Sequence, residues 1–372
     1  MTRTTAVLGV FAILSIPAVG QAGSILSLGD LAGGNPFSMG YAVSNGGTHV
    51  AGFSNATNGD EAFRWSSAGM VSLGDFAAGE HISRAYGISS DGSAVVGYGN
   101  ASTGYRAFRW TSSGMVDLGD LAGGDNYSVG WGISGDGTVV VGDSRNASGG
   151  EAFRWTAAGG MVGIGDLIGG SHSSSANDAS SNGSVIVGYS NSANGSEAFR
   201  WTSAGMVGLG DLSGGTFESW AGGISSDGSV ISGYGRTGTG YEAFRWTSAG
   251  LVGLGRLAGH TDSSAEDISG DGSILVGQSW AAGSMEAFVW QQSTGMRSLR
   301  SVLLDAGANL DGWTTIDAAT AISADGRFVT GRGTYNGQTM AYVADISAVP
   351  EPATVAVLAL GALAVLRRRK KD

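Results

Sequence analysis

Two acid-bearing pairs interrupt a position in the chain that is otherwise aromatic or small. Just before a recurring Ile or Val stand Tyr41-Ala42, Tyr86-Gly87, Trp131-Gly132 and Gly222-Gly223, but also Asn177-Asp178 and Glu266-Asp267. Carboxylates facing a shared space can hold a hard cation or accept from sugar hydroxyls. Asp178 and Asp267 are therefore the candidate ligands of a calcium site, and the plainer alternative is solvated polar residues in a wet channel. The histidines, His49, His81, His172 and His260, fall in separate stretches of a repeating chain, which spreads them apart instead of gathering them on one metal. Cysteine is absent, which excludes disulfides, thiol chemistry and Cys-based zinc sites. No Ser/His/Asp motif, phosphate-cradling loop or zinc-protease helix is visible. The Gly-rich run Gly-Asp-Leu-Ala-Gly-Gly ends a strand with no helix after it, so a nucleotide reading fails. No cofactor and no catalytic residue is expected.

A repeat positions these residues. Glu-Ala-Phe-Arg-Trp ends at Trp65 and returns, with small changes, ending at Trp110, Trp155, Trp201, Trp246 and Trp290, in steps of 45, 45, 46, 45 and 44 residues. A fixed period of that size points to an array or a propeller. In the unit that starts at Ala85, strand a covers 85–89 and Asp91-Gly92 reads as a type I′ hairpin turn, which needs positive φ at both centres. Strand b covers 94–98, strand c 107–110 and strand d 115–121. Equivalent turns hold Asp136-Gly137, Asn182-Gly183, Asp227-Gly228, Asp271-Gly272, Asp325-Gly326 and, in the first unit, Gly46-Gly47.

Four antiparallel strands every ~45 residues is the pattern of a propeller blade. The chain enters with a spare strand d at 24–31 and leaves with strands a, b and c near 319–323, 328–331 and 340–344. The expected fold is all-β: a seven-bladed β-propeller of four-stranded repeats, closed by the N-terminal strand so that no sheet edge stays exposed. In strand c, alternate residues share a face, so Arg64 points away from Phe63 and Trp65. Structural ion pairs are expected between Arg64 and Asp75, Arg109 and Asp120, Arg154 and Asp166, and Arg200 and Asp211, with the pattern failing where Arg245 meets Arg256. The a–b and c–d connections read as tight and the b–c and d–a connections as long and polar, the last two on one face. Tyr105, Trp131, Trp220 and Tyr241 lie near those loops, and a partner is expected there.

The 372 residues include 67 glycines, 42% hydrophobic residues and a formal charge of −11. That balance argues against nucleic acid or anionic lipid as a partner of the body. Residues 1–22 read as a signal peptide, with Arg3, an apolar stretch at 6–16 and Gly-Gln-Ala before the break. Residues 23–348 form the repeat domain. Residues 349–372 hold Pro350-Glu351-Pro352, an uncharged apolar segment at 353–366, and Arg367-Arg368-Arg369-Lys370-Lys371. Fourteen helical residues span about 21 Å, short of a hydrocarbon core of about 30 Å. Such a hydrophobic helix suits transient inner-membrane association, with the basic end in the cytoplasm.

This tripartite tail resembles the PEP-CTERM sorting signal of Gram-negative bacteria. The resemblance implies that a membrane exosortase recognises Pro350, Glu351 and Pro352, with Arg367, Arg368 and Arg369 as the basic end, and delivers the protein to the cell surface or an exopolysaccharide matrix. The repeats resemble the bacterial extracellular HAF repeat, but Glu61, Arg106, Glu151, Glu197, Glu242 and Glu286 stand where that family has histidine. The expected function is that of an exported, non-catalytic surface or matrix protein binding glycan or protein through the long-loop face. The alternative is an extracellular glycan-active enzyme using acids in the propeller channel.

Overall fold

The computed structural model describes residues 23–76 and 81–347. The signal peptide and the whole sorting tail, including Pro350, Glu351, Pro352 and Arg367 to Arg369, lie outside the described residues. Among the described residues no helix is long and apolar enough to cross a membrane.

One unit shows how the sequence builds the sheet. Gly123–Ile133, Val139–Asn146, Gly149–Thr156 and Gly160–Gly163 pair in that order, each antiparallel to the last. The same a-b-c-d order recurs in every unit up to Gly295–Ser298. In the last sheet, Trp313–Ile322, Phe328–Tyr335 and Gln338–Asp345 are followed by Ser24–Ser27 from the chain's other end. That strand runs antiparallel to Gln338–Asp345 with Ser24 opposite Asp345, Ile25 opposite Ala344, Leu26 opposite Val343 and Ser27 opposite Tyr342.

The apolar residues of strand c explain why the sheets stack. Phe63, Phe108, Phe153, Phe199, Phe244 and Phe288 are fully buried, and Tyr342 holds the same place in the last sheet. Phe153 packs against Val96, Leu118, Ile133 and Val140, so each ring joins its own sheet to the preceding one. Burying one such ring contributes about 1.5–3 kcal/mol.

Polar groups set the spacing between units. Ser128 in strand a donates to the Gly119 carbonyl at 2.6 Å and accepts from the Ala107 N–H at 2.9 Å, bridging strands d and c of the unit before. Ser83, Ser174, Ser219 and Ser263 repeat both bonds. Ser38 makes them with Gly29 at 2.6 Å and Ala341 at 2.9 Å, that is, with the two ends of the chain.

The a–b turns form a second belt of backbone hydrogen bonds. It runs from Asn45 N–H to the Ser90 carbonyl, Ser90 to Gly135, Asp136 to Ser181, Ser181 to Ser226, Ser226 to Gly270 and Gly270 to Ala324. The Gly46 N–H meets the Asp325 carboxylate at 2.9 Å.

Three local expectations need correction. Only the first a–b turn, Gly46-Gly47, has positive φ at both centres, +69° and +63°; in the Asp-Gly and Asn-Gly turns the glycine alone does, as at Gly92 with φ +73°, and Asn336 is the sole non-glycine with positive φ among the described residues. Asp91 instead keeps an ordinary φ and uses its carboxylate to accept from the Ser89 hydroxyl and the Ser93 N–H, while Gly92 N–H closes the turn onto Ser89. The b–c connections are tight, not long. Asn100 and Ala101 pair with Tyr105 and Gly104, so residues that read as loop by composition are ladder, and the d–a connections alone are long on that face. A helix, Leu299–Asp305, fills one d–a connection; Ser298 caps it and Leu299, Val302 and Leu303 bury between the last sheet and the one before it.

Candidate functional site

Strand a carries a bulge in every unit, with register shifts such as Gly40/Ala42, Gly130/Gly132, Ala176/Asp178 and Ala265/Asp267. An extra residue re-aims side chains. Here the bulges turn Tyr41, Tyr86, Trp131, Asn177, Glu266 and Thr320, with the residues after them, onto one cavity of about 350 Å³. The positions that stood out in the sequence are thus brought together. Its lining also includes Ser90, Gly135 and Ser181 of the a–b turns, which places the cavity at the short-turn end.

The cavity has two unlike sides. On one, the Asp178 Oδ2 accepts from the Ile224 N–H of the next unit at 3.0 Å and its Oδ1 from its own Ala179 N–H at 2.7 Å. Asp267 does the same with Ile322 at 2.8 Å and Ile268 at 2.7 Å. Each carboxylate therefore brackets two neighbouring strands a. Gly223 lies between them, where a Cβ would stand 2.7 Å from an Asp267 oxygen. Burial, then the charge of Asp267, pushes the Asp178 carboxyl well above the usual range, and burial pushes Asp267 to about 7. Among the described residues no three His, Asp or Glu side chains gather as a metal centre.

The other side is aromatic. Tyr41 and Tyr86 meet edge-on at 4.9 Å, and Tyr86 lies 4.7 Å from Trp131. From there the rings continue toward the long-loop face. Tyr86 stacks with Tyr98 at 6.0 Å, Tyr98 meets Tyr105 at 5.1 Å, and Tyr105 meets Tyr127 at 6.4 Å. The Arg84 guanidinium covers Phe53 at 4.3 Å and Arg145 covers Tyr127 at 4.8 Å. A second group joins Trp220 to Tyr189, Tyr234 and Tyr241, with Arg236 over Tyr241 at 4.6 Å. Tyr105 is 39% exposed, the most open of these rings.

Two more carboxyls face this region. Asp143 accepts from the Trp131 indole N–H and, at 3.2 Å, from the Ser175 hydroxyl. Glu266 accepts from Ser264 at 2.6 Å and Gln278 at 3.2 Å. Burial raises both carboxyls above their ordinary values. The signal for Asp143 in the sequence is a break in strand b, which holds Phe53, Tyr98, Asp143, Tyr189 and Tyr234 at matching positions.

The strand-c arginines do not pair with the strand-d acids. Arg64 stands opposite Val71, and Asp75 lies past the end of Gly69–Ser72. Its guanidinium instead donates to the Gly92 carbonyl of the next unit's a–b turn at 2.8 Å, and Arg109 and Arg200 cap Gly137 and Gly228 alike. In two units the Asp position meets instead the first residue of the Glu-Ala-Phe-Arg-Trp run. Arg106 and Asp120 form a 2.6 Å ion pair, and where the Asp becomes Arg256 its partner is Glu242 at 3.4 Å. That exchange of sign between units was the available signal. The histidines stay apart: His49 touches Thr48, His81 pairs with Asp75, and His172 lies 3.3 Å from Asp166 and 3.6 Å from Glu151. Among the described residues, the buried His260 Nδ1 has no partner.

Comparison with known proteins fits this architecture. The chain is similar in structure to oligogalacturonate lyase from Vibrio parahaemolyticus (11% identity, 89% of this chain and 99% of that one, TM-score 0.53). It is also similar to the β-propeller domain of the Trilobed protease from Pyrococcus furiosus, which has an open velcro topology (10% identity, 85% and 100% covered, TM-score 0.52). TolB from Acinetobacter baumannii matches at 12% identity and TM-score 0.48 over 68% of this chain, which spans 63% of that protein. At these identities the likeness shows the fold alone: an all-β, propeller-like domain. No curated protein matches the chain.

Residues 348–370 match the PEP-CTERM protein-sorting motif. That motif marks export and sorting to the surface in Gram-negative bacteria, with exosortase as the enzyme that recognises it.

Proposed function

We propose that this is an exported, non-catalytic surface or exopolysaccharide-matrix protein that binds a glycan through the aromatic side of its long-loop face. Its seven HAF-like blades close into a ring at residues 23–348, the N-terminal strand supplying the last strand of the seventh. The pairing of Ile25 with Ala344, and the Ser38 bridge that repeats those of the other units, support closure.

The observation that carries the glycan reading is the run of rings from Tyr41 through Tyr86, Tyr98 and Tyr105 to Tyr127, with Trp131 beside it. Tyr and Trp offer a flat apolar face with a polar edge, which suits the CH face and hydroxyls of a sugar ring. Asp178 and Asp267 support the non-catalytic reading, because both oxygens of each are engaged by backbone N–H groups.

Affinity electrophoresis of the purified protein in gels containing single polysaccharides tests the proposal. Retardation by at least one polymer is expected, and at about 0.5–1.5 kcal/mol per stacked ring the Tyr105→Ala/Trp220→Ala double variant should bind roughly 5- to 150-fold more weakly. Retardation that this variant retains in full would end the aromatic reading. The buried, raised carboxyls of Asp143 and Glu266 favour the second reading, a glycan-active enzyme. Release of oligosaccharides from the retained polymer, abolished by Asp143→Asn or Glu266→Gln, would decide for it.

A further inference from the structure

The two ends of the described chain leave the fold at the same place. Ser24 lies opposite Asp345, and the Gly23 N–H donates to the Ala306 carbonyl at 2.8 Å. Strand c runs from the b–c turn toward the c–d turn, so Asp345 ends on the short-turn face. Ile346 N–H then bonds to the Arg327 carbonyl beside the a–b turn. Ser347 lines a small pocket with Thr294 of a c–d turn and Gly326 of an a–b turn. The tail therefore departs from the face opposite Tyr98, Tyr105 and Tyr127, the rings that reach the long-loop side.

The tether is short. Between Ser347 and Pro350 stand Ala348 and Val349, and the apolar segment opens at Ala353. Six steps of chain reach at most about 20–22 Å at 3.3–3.6 Å each. A flexible tether of twenty residues or more would let the body tumble; this one holds it within about 20–22 Å of wherever residue 353 enters the bilayer.

The surface that this brings to the membrane suits that position. The exposed c–d turn residues are Ser67-Ala68, Ser112-Ser113, Ala157-Ala158, Ser203-Ala204, Ser248-Ala249 and Gln292-Ser293-Thr294, none of them charged. The acids of the a–b turns, Asp91, Asp136, Asp227, Asp271 and Asp325, sit inward and accept hydrogen bonds within their own turns, and beside the exit Arg327 pairs with Asp345 and Arg297 with Asp305.

We infer that, before sorting, the short-turn face rests against the lipid headgroups, its uncharged outer turns nearest the bilayer, and that the aromatic long-loop face points outward into the polymer. The inference rests on residues 353–366 entering the membrane and is independent of what the aromatic face binds.

The absence of native cysteine makes the test clean. Single cysteines are introduced into the full chain at Ala204 and Ala249 on the c–d turns, and at Ile168 and Ser213 on the d–a connections. Each is labelled with a fluorophore and reconstituted into vesicles of neutral lipid carrying headgroup nitroxides. Vesicle flotation is measured first: a protein that stays at the bottom overturns the tether, and the orientation with it. For floating protein, the c–d labels should be quenched at least threefold more than the d–a labels. A 20-residue Gly/Ser insertion after Ser347 should abolish the difference while leaving flotation unchanged. Equal quenching without the insertion would overturn the orientation, and a difference that survives the insertion would overturn the short tether as its cause.

Discussion

Removing one hydroxyl at the junction of the chain ends should cost as much as removing its counterpart deep within the array. Ser219 is fully buried, donates to Gly210 at 2.7 Å and accepts from Ala198 at 2.9 Å; Ser38 is equally buried and holds Gly29 and Ala341 at 2.6 and 2.9 Å. Alanine at either site leaves a buried N–H and a half-buried carbonyl short of a partner, at about 1–3 kcal/mol per group, so about 2–6 kcal/mol in all. An unfolding entropy of about 2.1 cal/mol/K per residue over about 325 residues turns this into a loss of roughly 3–9 °C in Tm. Calorimetry of Ser38→Ala and Ser219→Ala, each against the unaltered protein, should give losses equal within about 1 °C. A full loss for Ser219→Ala with none for Ser38→Ala would refute the reasoning, because it would mean that the ends are apart in solution.

The bracketing carboxylates give a pH signature. Asp178 and Asp267 have raised folded-state values, so their contribution is present below about pH 4, the unfolded value, and is lost as pH rises, for Asp267 through about 7. Urea midpoints should fall between pH 4 and 7.5, and Asp178→Asn/Asp267→Asn should flatten that slope; an unchanged slope in the double variant would count against the pair. Asp91 works in the opposite sense, since hydrogen bonds from Ser89 and Ser93 hold it to about 2, and its contribution is lost only as pH falls from about 4 toward 2. A double-mutant cycle with Arg64→Ala and Asp75→Asn should show coupling below about 0.3 kcal/mol, because Arg64 caps Gly92; coupling near 1 kcal/mol would restore the ion pair. Removing Arg64 alone should cost about 1 kcal/mol by the same unfolding assay.

The repeat itself was legible because the Phe in each Glu-Ala-Phe-Arg-Trp run marks the most buried point of strand c, and its spacing counts units directly. The odd strand at the N-terminus was legible for the same reason, since Leu26 and Leu28 carry the strand-d pattern without preceding strands. What failed was local. Gly99 to Arg106 is polar and glycine-rich, yet forms ladder, because those residues pair backbone to backbone near a rim where side chains need no burial. Arg64 was given the wrong partner because alternation in one strand says which way a side chain points, but not which neighbouring unit it meets. The acids at 178 and 267 stood out as breaks in symmetry, but their role as brackets depends on bulges, which shift the register without altering composition. The aromatic band escaped notice as a whole, because it is assembled from strands a, b and c of several units and each ring alone passes for core.

Hydrogen exchange with and without the bound polysaccharide tests the central claim most directly. The account predicts slowed exchange of amides near Tyr98 to Tyr105 and Tyr234 to Tyr241, on the long-loop face, with those of the a–b turns around Ser90, Ser181 and Ser226 unchanged. Protection confined to those turns and to the strand-a residues around Asp178 and Asp267 would contradict it, and would move the binding site into the cavity at the opposite end.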